Sequence, residues 1–156
     1  MTTVVRVLFV CTGNTCRSAM AEAIARVAAS ARPGPPVTFA SAGTSAWDGA
    51  PASDGALLVG IERKLDLNAH RSRALTREIV ANADLVLGMS PHHVERATLL
   101  GGEGRTFLLS EYADGASGGD PVEDPFGGDL GRYRATADQL TVMIGKVLDR
   151  IARPDG

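Results

Sequence analysis

The chain has 156 residues, 44% hydrophobic and 22% charged, with a net charge of −2 at pH 7, which suits one domain around one hydrophobic core. The slight negative charge gives no electrostatic case for binding nucleic acid or an anionic membrane, and no apolar run approaches membrane-spanning length. Two cysteines are too few for a disulfide framework.

Met1-Thr2-Thr3 carries no basic region or cleavable signal, so a cytoplasmic location is expected. Residues 4–10 are almost continuously apolar and β-branched, the pattern of a strand covered on both faces. The polar stretch Cys11-Thr12-Gly13-Asn14-Thr15-Cys16-Arg17-Ser18 follows. Residues 19–27 then predict an amphipathic helix with Met20, Ile24 and Val27 on one face. Pro33-Gly34-Pro35-Pro36 ends it. Residues 37–40 form a second strand, left through Ser41-Ala42-Gly43-Thr44. A loop through Trp47, Asp48, Gly49 and Pro51 leads to a helix that places Leu57, Ile61 and Leu65 on one face.

His70-Arg71-Ser72-Arg73 is a polar connector, and Thr76 is the expected N-cap of a short helix holding Ile79 and Val80. Residues 85–89 form a third strand. Ser90-Pro91 opens a helix, with a cap followed by proline at the first position; it is expected to run to Leu100 and stop at Gly101-Gly102. Residues 105–109 form a fourth strand, and residues 112–129, rich in Gly, Asp, Ser and Pro, form a loop without periodicity. Loops of that length in a compact domain usually carry function. Tyr133, Ala137, Leu140, Ile144, Val147 and Ile151 recur at helical spacing and predict a long closing helix. Strands alternating with helices imply an open α/β sheet with right-handed crossovers, organised as a single domain over residues 1–156.

In such sheets ligands sit beyond the carboxyl ends of the strands, and Cys11 ends the first strand. The loop it opens closes with Arg17 and leads into a helix. Backbone N–H groups in such a loop converge on one point, and the helix N-terminus adds positive potential there. A thiol in that field is expected as a thiolate, a nucleophile. Arg17 offers a planar fork for two oxygens of a phosphoryl group. Gly13 permits a tight turn, Asn14 tolerates φ > 0 and bonds to the backbone, and Ser18 can donate to the thiolate. Together these residues point to phosphoryl transfer through a covalent phosphocysteine.

That route needs a proton donor for the leaving group and a base for water. Asp124, in Glu123-Asp124-Pro125-Phe126-Gly127-Gly128, is the best candidate, because a residue before proline is held extended and gives the carboxylate a fixed aim. Glu123 and Asp120 compete without preceding that turn. His70 reads equally as a support of the loop or a surface residue. His92-His93 does not form a metal pair, since adjacent residues do not share a helix face and no cysteine or carboxylate completes a site. Neither a metal nor another cofactor is expected. Trp47 reads as a loop anchor or a wall of the pocket, and Met89 as core. Cys16 borders the same loop and is expected to capture an oxidised Cys11 as a disulfide, making the enzyme redox-sensitive.

Residues 10–18 and Asp124-Pro125-Phe126 resemble the low-molecular-weight protein tyrosine phosphatase family, and the likeness extends over nearly the whole chain. It includes Ser41-Ala42-Gly43-Thr44, His70, residues 83–87 with Met89, and the closing helix. The resemblance implies a four-stranded parallel sheet between layers of helices. It implies Cys11 as nucleophile, Arg17 as phosphate clamp and Asp124 as general acid, then base. Thr12, Gly13, Asn14, Thr15, Cys16 and Ser18 then line the substrate site, and Asn14, Ser18, Ser41 and His70 form the network that shapes the loop. Thr15 and Asp-Pro-Phe-Gly-Gly resemble the bacterial protein arginine phosphatases more closely than the tyrosine-specific members. Ala19, where the family usually has proline, is a departure of little expected consequence. The resemblance thus implies a monomeric phosphatase of phosphoarginine in proteins. Phosphotyrosine is the alternative substrate. Arsenate reduction on the same fold is disfavoured because it needs further cysteines.

Overall fold

The computed structural model describes residues 4–152. Its elements, in chain order, are β1 (Val5–Cys11), α1 (Arg17–Ser30), β2 (Val37–Gly43), α2 (Asp54–Arg63), α3 (Arg77–Ala81), β3 (Leu85–Gly88), α4 (Pro91–Ala97), β4 (Thr106–Leu108), α5 (Leu109–Asp114) and α6 (Leu130–Ile151). The four strands form one sheet in the order β2-β1-β3-β4, and every pair is parallel.

Alternate residues of β1 serve opposite faces, as strand geometry requires. Val7, Phe9 and Cys11 join a core with Met20 and Ile24 of α1 and Tyr133, Leu140 and Ile144 of α6. Leu8 and Val10 join a second core with Val80, Ala83 and Ala97, beneath α3 and α4. Burying each of these larger side chains is worth about 1.5–3 kcal/mol, so the central strand is held from both sides. The chain departs from β1 in both directions, to β2 on one side and to β3 and β4 on the other. The carboxyl end of β1, where Cys11 sits, is the switch point of the sheet. Among the described residues no helix is long and apolar enough to cross a membrane.

Several expectations need correction. Val27 is half exposed, and the stripe that packs inward from α1 consists of Met20, Ala23 and Ile24. Ile61 is 72% exposed, and α2 packs through Ala56, Val59 and Gly60 instead. Small residues bring that helix close: a Cβ at Gly60 would sit 3.0 Å from Leu67 Cδ1. The helix after Ser90 ends at Ala97, and a π-helical turn over Thr98–Gly102 follows, broken by Gly101 at φ +106°. Residues 109–114, read partly as strand and partly as loop, form the short helix α5. Thr76 caps α3 as expected, its Oγ1 accepting from Ile79 N at 3.2 Å.

The β1–β2 register pairs Cys11 with Gly43, and this glycine admits the loop after β1. A Cβ at Gly43 would lie 2.4 Å from Thr12 O and 3.0 Å from Asn14 N. Both are backbone atoms, so nothing rotates aside. Gly43→Ala should therefore destabilise the fold by about 1–3 kcal/mol and lower turnover roughly tenfold or more by displacing the loop. Thermal unfolding and steady-state kinetics check this; wild-type values for both would show that the close approach does not shape the loop.

Candidate active site

Residues 12–16 connect the last residue of β1, Cys11, to the first residue of α1, Arg17. The turn is made at Asn14, which takes the left-handed conformation at φ +58°. Asparagine tolerates that region better than most residues. The turn brings Asn14 N–H to within 3.3 Å of Cys11 Sγ. Ser18 Oγ lies 2.9 Å from the same sulfur and accepts from Asn14 Nδ2 at 2.8 Å, which leaves the serine hydrogen for the sulfur. Asn14 Oδ1 accepts from Arg73 N at 3.0 Å, and Asn14 O lies 2.6 Å from His70 Nε2. All four polar groups of this fully buried residue are used.

The structure thus brings Asn14, Ser18 and His70 together. Ser41 holds its side chain apart from them. It shares a face of β2 with Phe39, toward α1, and its hydroxyl donates to Glu22 Oε1 at 2.6 Å. It reaches the network only through its carbonyl, which accepts from Arg73 Nε at 2.9 Å.

Arg17 is buried. Its Nη1 donates to Val122 O at 3.2 Å and meets Ser90 Oγ at 3.4 Å. Its Nη2 lies 3.6 Å from Asp124 Oδ2. Val122 is itself anchored, its N–H donating to Met89 O at 2.8 Å just beyond β3. The long loop therefore docks on the end of the sheet and carries Asp124 to the arginine. The other oxygen of Asp124 accepts from Phe126 N at 3.0 Å, the short-range bond expected of an aspartate before proline in a turn. Glu123 and Asp120 make no side-chain bond to Arg17, and only their carbonyls are engaged, by Thr136 and Ser110.

Thr15 is half-buried in the loop. Cys16 is buried, with Sγ 3.2 Å from Ser53 Oγ and 3.4 Å from Tyr133 OH. Burial, then the bond to Cys16, raises the Tyr133 phenol above its ordinary pKa. Cys11 and Cys16 are both free thiols. Trp47 and Phe126 project into solvent, 86% and 72% exposed. Trp47 does not anchor its loop by its ring; its carbonyl takes the bond from Ser72 Oγ. Asp48 holds the connector, accepting from Ala74 N at 2.8 Å. Met89 is fully buried.

His93 is the residue that sequence reasoning passed over. It is completely buried, its Nδ1 accepts from Ser90 N at 3.0 Å, and its Nε2 lies 2.8 Å from Thr12 Oγ1. Burial, with the nearby charges of His92 and Arg17, pushes its pKa down to about 3. A signal existed. Ser90-Pro91-His92-His93 has the spacing of a capping box, with histidine in place of the usual Glu or Gln.

A buried cysteine and arginine close the two ends of one tight loop at a sheet's switch point, with a carboxylate beside the arginine. That arrangement defines a cysteine-dependent phosphatase. The chain belongs to the low molecular weight phosphotyrosine protein phosphatase family, whose family model matches residues 6–155. It is 38% identical over 149 residues to a protein-arginine-phosphatase of Bacillus subtilis, covering 94% of this chain and 97% of the relative. It is also 38% identical over 143 residues to the low molecular weight protein-tyrosine-phosphatase PtpB of Staphylococcus haemolyticus, covering 91% and 96%. A solved YwlE arginine phosphatase mutant with a phosphorylated active-site serine superposes with a TM-score of 0.89 at 35% identity, covering 96% of this chain and 97% of that one.

Proposed function

We propose that this phosphatase hydrolyses phosphoarginine in proteins through a phosphocysteine formed on Cys11. The observation that carries the chemistry is the loop itself: Asn14 N–H and Ser18 Oγ gather on the Cys11 sulfur, while Arg17 and Asp124 meet at the loop's far end. The Cys11 sulfur attacks phosphorus, and the bond from phosphorus to the leaving nitrogen breaks. Arg17 and the loop N–H groups hold the phosphoryl oxygens. Asp124 gives its proton to the leaving guanidine. In the second step Asp124 takes a proton from water, the oxygen attacks phosphorus, and the sulfur–phosphorus bond breaks to release inorganic phosphate.

The preference for arginine rests on Thr15 and on Asp124-Pro125-Phe126-Gly127-Gly128, and the arginine-phosphatase relatives support it. A threonine hydroxyl and a carboxylate beside the pocket can both accept from a guanidinium. Phosphotyrosine remains a second reading because Trp47, in the loop after β2, and Phe126, two residues beyond Asp124, are exposed aromatics, and such rings suit a phenyl group. The same reading gives Cys16 a protective part: its thiol condenses with a sulfenic acid on Cys11, forming a disulfide and releasing water.

Three measurements test these statements. Asp124→Ala should slow phosphoarginine hydrolysis by about 10²–10⁴ and slow an activated aryl phosphate much less, since that leaving group departs without a proton. Equal losses would make Asp124 a positioning residue. Thr15→Ile should shift the kcat/KM ratio toward phosphotyrosine by roughly tenfold or more. A wild-type enzyme that already prefers phosphotyrosine, or an unmoved ratio, would remove the arginine assignment and leave the second reading. Peroxide inactivation should be reversed by a thiol reductant in wild type and become irreversible in Cys16→Ser; equal recovery of both proteins would dismiss the protective part.

A further inference from the structure

We infer that His93 is a positioning residue for the phosphate loop: from the first turn of α4 it fixes the Thr12 hydroxyl, and through Thr12 the backbone N–H that follows Cys11. The inference rests on reading residues 11–18 as an oxyanion cradle. It does not depend on which amino acid carries the phosphate.

The argument begins with the tautomer. His93 Nδ1 faces the Ser90 N–H at 3.0 Å, and an N–H can only donate, so Nδ1 is bare. In the neutral ring the proton then sits on Nε2, which donates to Thr12 Oγ1 at 2.8 Å. The ring is neutral throughout the working range, its pKa lying at about 3. Thr12 is also held by its carbonyl, which accepts from Ser45 N at 3.0 Å. The peptide that carries the Thr12 N–H is tied at its own carbonyl, Cys11 O accepting from Thr44 N at 2.9 Å, so with the Thr12 side chain and both carbonyls held its orientation is set.

The same turn of α4 reaches the other end of the loop, where Ser90 Oγ lies 3.4 Å from Arg17 Nη1. One short helix therefore touches the residue after the cysteine and the arginine that closes the loop. Close packing makes this possible: a Cβ at Gly88 would lie 3.2 Å from His93 Cβ and 3.0 Å from Val94 N. Histidine is the residue that fits both duties. A glutamate at this third helical position would serve the cap equally well. It would have no hydrogen for Thr12, and it would place a negative charge beside a cradle for anions.

Three variants separate the two duties. His93→Asn keeps an oxygen near the Nδ1 position, so the cap survives while nothing reaches Thr12. His93→Gln extends an amide nitrogen toward Thr12 and gives up the cap. Thr12→Val removes the acceptor and keeps the shape. Each protein is assayed for kcat and KM on an aryl phosphate, for inhibition by vanadate, and for its urea midpoint. His93→Asn and Thr12→Val should each lower kcat/KM and vanadate affinity about tenfold, the scale of one hydrogen bond. The double variant should be no worse than either single, and His93→Gln should recover most of the loss despite a lower urea midpoint. The 15N spectrum of the wild-type ring should show one bare and one protonated nitrogen from neutral pH to about pH 4.5.

Unchanged vanadate affinity in His93→Asn or in Thr12→Val would overturn the inference, as would losses that multiply in the double variant, losses that simply follow the urea midpoint, or an imidazolium spectrum at about pH 4.5. Should His93→Asn fail to fold, Thr12→Val decides alone. A wild-type enzyme that binds vanadate yet hydrolyses no phosphoester or phosphoramidate would strike the proposed reaction and leave the positioning result to stand on vanadate.

Discussion

The site depends on Asn14 being held in a left-handed turn. Backbone in that region costs a residue with a side chain about a kcal/mol or more, and here four hydrogen bonds offset it. Asn14 spends its N–H on Cys11, its amide nitrogen on Ser18, its amide oxygen on Arg73 and its carbonyl on His70. An unpaired buried polar group costs about 1–3 kcal/mol, so no partner is dispensable. The consequence is that the chain reverses around the sulfur and turns the Asn14 N–H onto it. Without the turn, the residues from Cys11 to Arg17 would be an ordinary connection between strand and helix.

Around this turn the fold supplies three supports from different directions. β2 approaches through Gly43, whose lack of a side chain lets Thr12 and Asn14 pass within contact distance. The connector after α2 delivers His70 and Arg73 to Asn14. On the far side of β1, β3 ends beside α4, which grips Thr12 through His93. Met89 holds Val122, and Val122 holds Arg17. Asp124 follows two residues later, so its carboxylate is placed beside Arg17 by the anchoring of Val122 and needs no rigid helix of its own. A strand order that diverges at β1 is what lets supports arrive on both sides of the loop.

Much of this was legible in the sequence, and the reasons are local. Residues 4–10 read as a doubly covered strand because apolar character is continuous. The loop read as an anion site because Gly13, Asn14 and Arg17 sit within one turn of chain, and Asp124 stood out because proline follows it. Misreadings arose where close packing, not hydrophobicity, decides the buried face. Ile61 looked like core, yet Ala56 and Gly60 face inward because α2 lies too close for a large side chain. Ser41 was placed in the loop network on family likeness, but it points toward α1, where Glu22 waits. The part of His93 was hidden because Thr12 is 81 positions away, and a contact of that range leaves no periodic trace. α5 is six residues long, too short for an apolar period to register.

The central claim is that phosphate passes through Cys11, and trapping the intermediate tests it most directly. The enzyme is mixed with a phosphoarginine peptide, quenched in acid within its first turnover, digested and examined by mass spectrometry. The account predicts one phosphoryl group on Cys11 in the quenched sample and none after the reaction runs to completion. A phosphoryl group on another residue, or substrate converted to product with Cys11 unmodified at every quench time, would contradict it.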